Sequence, residues 1–199
     1  MNNVHFQDFQ VDRKNYENRN GHSSFNIWLT GLSGSGKSTI ANGLNKLFFE
    51  KGMYSVILDG DNTRLGINKD LSFSYNDRAE NIRRVAEMSK LFINSGQIVI
   101  SSFISPFKKD RETAREIISS VDFIEVYIDC PIEECEKRDV KGLYAKARNG
   151  EINEFTGISS PYEAPENADI VINTKIMTIN DSIDFIFKQI NEMKCLNID

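Results

Sequence analysis

The chain has 199 residues, of which 40% are apolar and 27% charged, and it carries a net charge of −5. That composition suits one α/β domain with a full core, and the acidity argues against a duplex-DNA binder while leaving room for a small phosphorylated ligand held by local Arg and Lys. No apolar run approaches the ~20 residues that a membrane helix needs, and residues 1–24 lack an apolar signal-peptide core, so a cytoplasmic protein with no membrane and no nucleic-acid partner is expected.

Residues 1–24 are rich in Asn, Asp, Arg and Gln and read as a partly flexible extension to a domain spanning 25–199. Phe6 and Phe9 are its candidate anchors, to the domain or to a second subunit. Phe25–Thr30 is predicted as a buried strand. It runs into Gly31-Leu32-Ser33-Gly34-Ser35-Gly36-Lys37-Ser38-Thr39, the G-x-x-x-x-G-K-S pattern of a phosphate-binding loop. Helical spacing of Ile40, Leu44, Leu47 and Phe48 then predicts a helix from Lys37 to about Lys51, closed by Gly52. Strand, glycine loop and helix form the context that the motif requires. Glycines let backbone N–H groups converge on an anion, and the helix adds its positive end. Lys37 is placed to reach the β/γ-phosphates and the Ser38 hydroxyl to ligand Mg²⁺.

Tyr54–Leu58 is the second predicted strand and ends in Asp59-Gly60-Asp61-Asn62. Ligands of open α/β sheets bind beyond the carboxyl ends of strands, so these carboxylates are candidates for a water-mediated Mg²⁺ contact or for accepting a proton from an attacking hydroxyl. Thr63–Asn76 reads as a substrate-facing loop. Asp77–Asn94 is a helix with Ile82, Val85, Ala86, Ser89, Leu91 and Phe92 as its core face. Arg78 and Asn81 stand three apart, close enough to meet one ligand, whereas Arg84 reads as a surface charge.

Gln97–Phe103 is the third strand, continuously apolar as a buried parallel strand is. It leads into Ile104-Ser105-Pro106-Phe107 and a helix over Asp110–Ser119. Phe123–Ile128 is the fourth strand. The charged stretch Glu133–Arg148, with helices at Ile132–Arg138 and Tyr144–Asn149, is a candidate lid. An irregular segment holds Phe155–Ile158 and Ser160–Glu163. Ile170–Asn173 is a short fifth strand, and Ser182–Lys194 a closing helix with Ile183, Ile186, Phe187 and Ile190 on one face. Cys130, Cys135 and Cys195 form no CxxC pair and read as reduced thiols. Alternating strands and helices imply a parallel sheet with right-handed crossovers and helices on both faces.

The motifs GLSGSGKST (31–39), LDGDN (58–62) followed by Arg64, RAENIRR (78–84), FISPF (103–107), KGLY (141–144), FTGI (155–158) and SPYEAP (160–165) occur in this order. Together they resemble the adenylylsulfate kinase family over about residues 20–174. The resemblance implies a three-layer P-loop kinase fold with a five-stranded parallel sheet. It also implies transfer of the γ-phosphoryl of ATP, with Mg²⁺, to the ribose 3′-hydroxyl of adenosine 5′-phosphosulfate (APS), and a homodimer. By the same resemblance ATP is held by Gly31, Ser33, Gly34, Ser35, Gly36, Lys37, Ser38, Thr39 and Arg138, and the metal by Ser38 and Asp59. APS is held by Asp61, Arg64, Phe73, Arg78, Asn81, Ile104, Ser105, Lys141, Leu143, Phe155 and Gly157, with Phe73 and Phe155 stacking on its adenine. Lys37, Asp59, Asp61 and Ser105 form the expected catalytic set. Ser105 matches a position traditionally assigned a phosphoserine intermediate, although no base neighbours it in sequence. Leu65, Ser72 and Ser159 depart from a frequent His, Gly and Asp. No Asp closes the third strand at Ser102, so a metal carboxylate must come from Asp59 or Asp61. Two other readings stay open: a kinase for the 3′-hydroxyl of another nucleotide, and a non-enzymatic nucleotide-binding module.

Overall fold

The computed structural model describes residue 5, residues 7–194 and residue 196. Five strands form one parallel sheet in the order β2-β3-β1-β4-β5: β1 (Asn26–Thr30), β2 (Ser55–Asp59), β3 (Ile98–Ser102), β4 (Phe123–Asp129) and β5 (Ile170–Asn173). Parallel strands need crossovers, and helices supply them on both faces. Alternate residues of each strand therefore enter different cores. Ile27 and Leu29 of β1, with Ile98 and Ile100 of β3, pack beneath α2 (Lys37–Glu50) and α8 (Ile179–Lys194). Trp28 and Val99, between them in sequence, face α4 (Tyr75–Asn94) and α5 (Lys108–Ile118). The predicted three-layer architecture is the observed one.

Two elements depart from the sequence reading. The stretch read as a partly flexible extension contains α1 (Arg13–Asn20), a helix with no buried residue. A polar helix has no apolar stripe to betray it. This one is held by a capping box between Asp12 and Asn15 and by left-handed Gly21 at its end. Arg13 then fastens it to the domain, donating to both Asp122 carboxylate oxygens at 2.6 and 2.9 Å and to the Ser24 carbonyl. Phe9 is exposed, and Phe6 lies outside the described residues. The second departure is α3 (Gly60–Leu65), which begins where a turn and loop were expected. Asp59 caps it by accepting from the Asp61 N–H at 3.0 Å.

In α4 the buried face is Asn81, Ile82, Val85, Ala86, Ser89 and Ile93, while Leu91 is exposed. Ile93 follows Ser89 by four residues and completes the helical stripe that Leu91 leaves. Two short helices, α6 (Ile132–Arg138) and α7 (Leu143–Arg148), make up the charged stretch read as a lid, and they form a small third core with Phe155.

Candidate active site

The loop between β1 and α2 wraps at the carboxyl end of the sheet. A Cβ on Gly31 would stand 2.5 Å from the Ile128 carbonyl oxygen, and one on Gly34, at φ 75°, would crowd Cys135. Only glycine fits at either place. No side chain accepts from the first N–H groups of α2, which starts at left-handed Gly36. Those donors, with the helix dipole, remain available to an anion. Lys37 is buried beside them and donates to the Leu32 carbonyl at 2.7 Å. Loss of solvent lowers its pKa to about 8, against a smaller opposing influence from Cys135 and Asp59.

Ser38 Oγ donates to Asp59 Oδ2 at 2.8 Å. Asp59 ends β2 and pairs in register with Ser102 of β3. The carboxylate absent from the end of β3 is thus delivered from the neighbouring strand. One hydroxyl and one carboxylate at a phosphate site suit Mg²⁺, which takes few protein ligands and completes its shell with phosphate oxygens and water. Among the described residues no group of three or more His, Cys, Asp or Glu side chains is placed to hold a metal ion. Asp61, exposed at the start of α3, pairs with Lys141 ahead of α7.

A second cluster lies beyond the β2 and β3 ends. Arg64 stacks on the Phe73 ring at 4.4 Å and donates to the Ser72 carbonyl at 2.9 Å. Arg78 Nε donates to the Phe73 carbonyl at 2.8 Å and its Nη1 to Thr156 Oγ1 at 2.7 Å. One guanidinium therefore joins the Phe73 loop to the segment carrying Phe155 and Gly157. Phe73 is exposed, whereas Phe155 is buried edge-on against Tyr144 at 5.0 Å. Asn81 is buried and accepts from Asn68 Nδ2 at 3.0 Å. Arg84 pairs instead with Asp70 and Glu80 on the surface.

Ser105 is buried with φ 39° in the turn after β3, and its Oγ accepts from Trp28 Nε1 at 3.1 Å. The carbonyl of Ile104 accepts from Thr30 Oγ1 at 2.7 Å. Leu143 packs with Phe155, Leu32 and Ile132 in the small core. Arg138 donates to the Thr174 carbonyl at 2.7 Å, and Thr174 Oγ1 donates to the Ser35 carbonyl at 2.9 Å, which sets Arg138 behind the phosphate loop. Burial pushes the Cys135 thiol up to about 12, the state of an inert reduced cysteine. Cys130 is also free, and Cys195 lies outside the described residues.

Sequence reasoning missed Thr174, Tyr144, Trp28 and Thr30. Thr174 and Tyr144 brace the phosphate loop, Tyr144 by donating to the Ser33 carbonyl at 2.9 Å. Trp28 and Thr30 brace the Ser105 turn. The one signal for Thr30 was a hydroxyl at the end of a strand in which the three residues before it, Ile27, Trp28 and Leu29, are apolar.

A phosphate cradle with a buried lysine, a serine–carboxylate pair beside it and an Arg- and Phe-bearing cluster opposite define a P-loop phosphotransferase. A family model described as adenylylsulphate kinase matches residues 23–173. An adenylyl-sulfate kinase of Staphylococcus epidermidis is 52% identical over 191 residues, covering 96% of each chain. Another, of Clostridium acetobutylicum, is 52% identical over 194 residues, covering 98% of this chain and 96% of that one. The structure of Mycobacterium tuberculosis APS kinase CysC in complex with AMPPNP and APS matches with a TM-score of 0.83 at 43% identity, covering 85% of this chain and 99% of that chain. The chain belongs to the adenylylsulfate kinase family.

Proposed function

We infer that the chain transfers the γ-phosphoryl group of ATP to the 3′-hydroxyl of APS, giving 3′-phosphoadenosine 5′-phosphosulfate and ADP. One observation carries the reading beyond nucleotide binding. Asp59 accepts from Ser38 of the phosphate loop through one oxygen and from the Asp61 N–H through the other. A single carboxylate thus ties the phosphoryl-donor side to the acceptor side.

Residue roles follow from this arrangement. The loop N–H groups of residues 31–39 and the Lys37 ammonium hold the β- and γ-phosphates. Their fixed positive charge stabilises the transferring group. Ser38 and Asp59 would hold Mg²⁺, which would supply neutralisation of phosphate charge. Asp61 accepts the proton of the 3′-hydroxyl as its oxygen bonds to the γ-phosphorus and the bond to the β,γ-bridging oxygen breaks. Lys141 holds Asp61 in the free enzyme and turns to substrate charge in the complex. Arg64, Arg78 and Asn81 hold the acceptor. Phe73 supplies an aromatic face for its adenine and Phe155 the wall opposite, and Arg138 takes the role of stacking on the adenine of ATP.

Purified protein with ATP, Mg²⁺ and a panel of nucleotides tests the reading by ADP release. Turnover with APS above all other acceptors is expected. Turnover on a different acceptor with none on APS overturns it, and ATP binding with no acceptor-dependent ADP release makes the chain a binding module. We also propose a homodimer in the cytoplasm. Among the described residues no helix is long and apolar enough to cross a membrane. Assembly is a property of at least one relative: a hexameric APS kinase from Thiobacillus denitrificans is 25% identical with a TM-score of 0.68, covering 90% of this chain and 31% of that chain. Light scattering measures the state of this one.

A further inference from the structure

The acceptor side of the site is assembled from segments far apart in sequence, and one buried side chain lying behind them ties several together. Arg111, in the first turn of α5, is 3% exposed. Its Nε donates to Glu125 Oε1 of β4, its Nη1 to the Ser105 carbonyl and its Nη2 to the Glu163 carbonyl, each at 2.8 Å. A planar guanidinium presents these donors in a fixed fork, so the three acceptors are held at set separations. Neighbouring bonds run the same way. The Glu163 N–H donates to the Pro106 carbonyl at 2.8 Å, and Glu163 Oε2 accepts from the Lys108 N–H at 2.7 Å. The backbone fixed here is strained, because Ser105 has φ 39° without being glycine. A turn in that conformation persists only where its surroundings over-determine it.

We propose that Arg111 is a positioning residue for the acceptor nucleotide. It locks the Ser105 turn against the 160–164 segment. That segment is tied to Phe155–Gly157 by the Gly157 N–H donating to the Ser160 carbonyl at 2.7 Å and the Ser160 N–H donating to the Phe155 carbonyl at 3.1 Å. Arg111 so sets the distance between the two walls formed by Ile104–Ser105 and Phe155–Gly157. It touches neither nucleotide. The inference rests on the reading that these walls face APS. Its effect is one-sided. The phosphate loop is braced separately through Tyr144 and Thr174, and none of the three groups that accept from Arg111 belongs to that loop.

The test is a split of kinetic constants. Arg111→Lys keeps a positive charge against Glu125 but cannot reach three acceptors at once. We expect KM for APS to rise about ten-fold, since each lost bond to a charged donor weakens the wall it holds, with KM for ATP unchanged. Arg111→Met combined with Glu125→Leu removes both buried charges together, a replacement that folds retain more readily than a lone unpaired charge. It still lacks both ties to carbonyl groups, and the same rise in KM for APS is expected. Unchanged KM for APS in a folded variant overturns the proposal. So does a parallel rise for APS and ATP, and so does failure of both variants to fold, which makes Arg111 a residue of the core alone. Wild-type protein inert toward APS instead sinks the functional reading, and that control is run first.

Discussion

Lys37 donates to the Leu32 carbonyl at 2.7 Å, within its own loop, while buried from solvent. The lysine that neutralises phosphate is thus held ready at a cost to the free protein. Burial lowers its pKa from 10.5 to about 8. Below pH 8 both folded and unfolded chains carry the charge, and the folded state bears the full desolvation penalty, about 3 kcal/mol. Between pH 8 and 10.5 the unfolded chain binds more protons, so stability from this group rises with pH. Lys37→Met should therefore raise the melting temperature of the unliganded protein by several degrees at pH 7, a gain that shrinks toward pH 10. The same variant should lose turnover by about a thousand-fold. A lower melting temperature at pH 7 would refute the penalty.

The Ser38–Asp59 pair separates a metal role from a structural one. Asp59 also caps α3, and Asn caps a helix about as well as Asp. Asp59→Asn should therefore leave the fold and melting temperature intact while lowering kcat/KM by about a hundred-fold. The Mg²⁺ concentration for half-maximal rate should rise. Unaltered Mg²⁺ dependence would confine Asp59 to capping.

How much of this was legible in the sequence follows from where the information lies. The strands of the sheet carry apolar residues on both faces, so their runs marked them, and Ile132–Arg138 was delimited to the residue by Pro131 and its own helical pattern. The phosphate loop was legible because glycine spacing is a backbone requirement written directly in residue identity. The helix α1 was not, because it buries nothing and depends on Asp122, more than a hundred residues away. Motif order assembled the acceptor cluster, but the bonds that hold it came only from the fold. Arg78 reaching Thr156 and Arg111 reaching Glu163 are long-range choices of side-chain direction. No local pattern encodes them.

Asn81 is buried and accepts from Asn68, itself fully buried. With its oxygen so engaged, the Asn81 amide N–H groups are the part left for a ligand. Asn81→Ala should raise KM for APS about ten-fold with kcat little changed, and should cost about 1–2 kcal/mol of stability because Asn68 loses its acceptor. Unchanged APS affinity would remove Asn81 from the acceptor site.

Arg13 is the chief tie between α1 and the domain. Removing it strands the buried Asp122 without its partner. Arg13→Ala should lower stability by about 2 kcal/mol, since the pair is partly exposed and short of a fully buried bridge. Both KM values and kcat should stay at wild-type levels at 25 °C. An unchanged melting temperature would show that α1 docks by other means.

Ser105 separates two routes of phosphoryl transfer. A covalent route needs its Oγ to lose a proton to a base and to accept the γ-phosphoryl before the 3′-hydroxyl does. The structure supplies the opposite surroundings. The hydroxyl is buried, accepts from Trp28 Nε1 at 3.1 Å, and has the Phe103 carbonyl at 3.5 Å as its acceptor. A carbonyl is not a base of useful strength, and a phosphoryl group there would have to displace the indole. Direct in-line transfer needs only positioning and charge stabilisation. Ser105→Ala should accordingly keep turnover within about ten-fold of wild type, the loss reflecting the unpaired indole N–H and a loosened turn. Mass spectrometry of protein quenched during turnover should show Ser105 unmodified. Phosphate on Ser105 that chases into product on addition of APS would establish the covalent route instead.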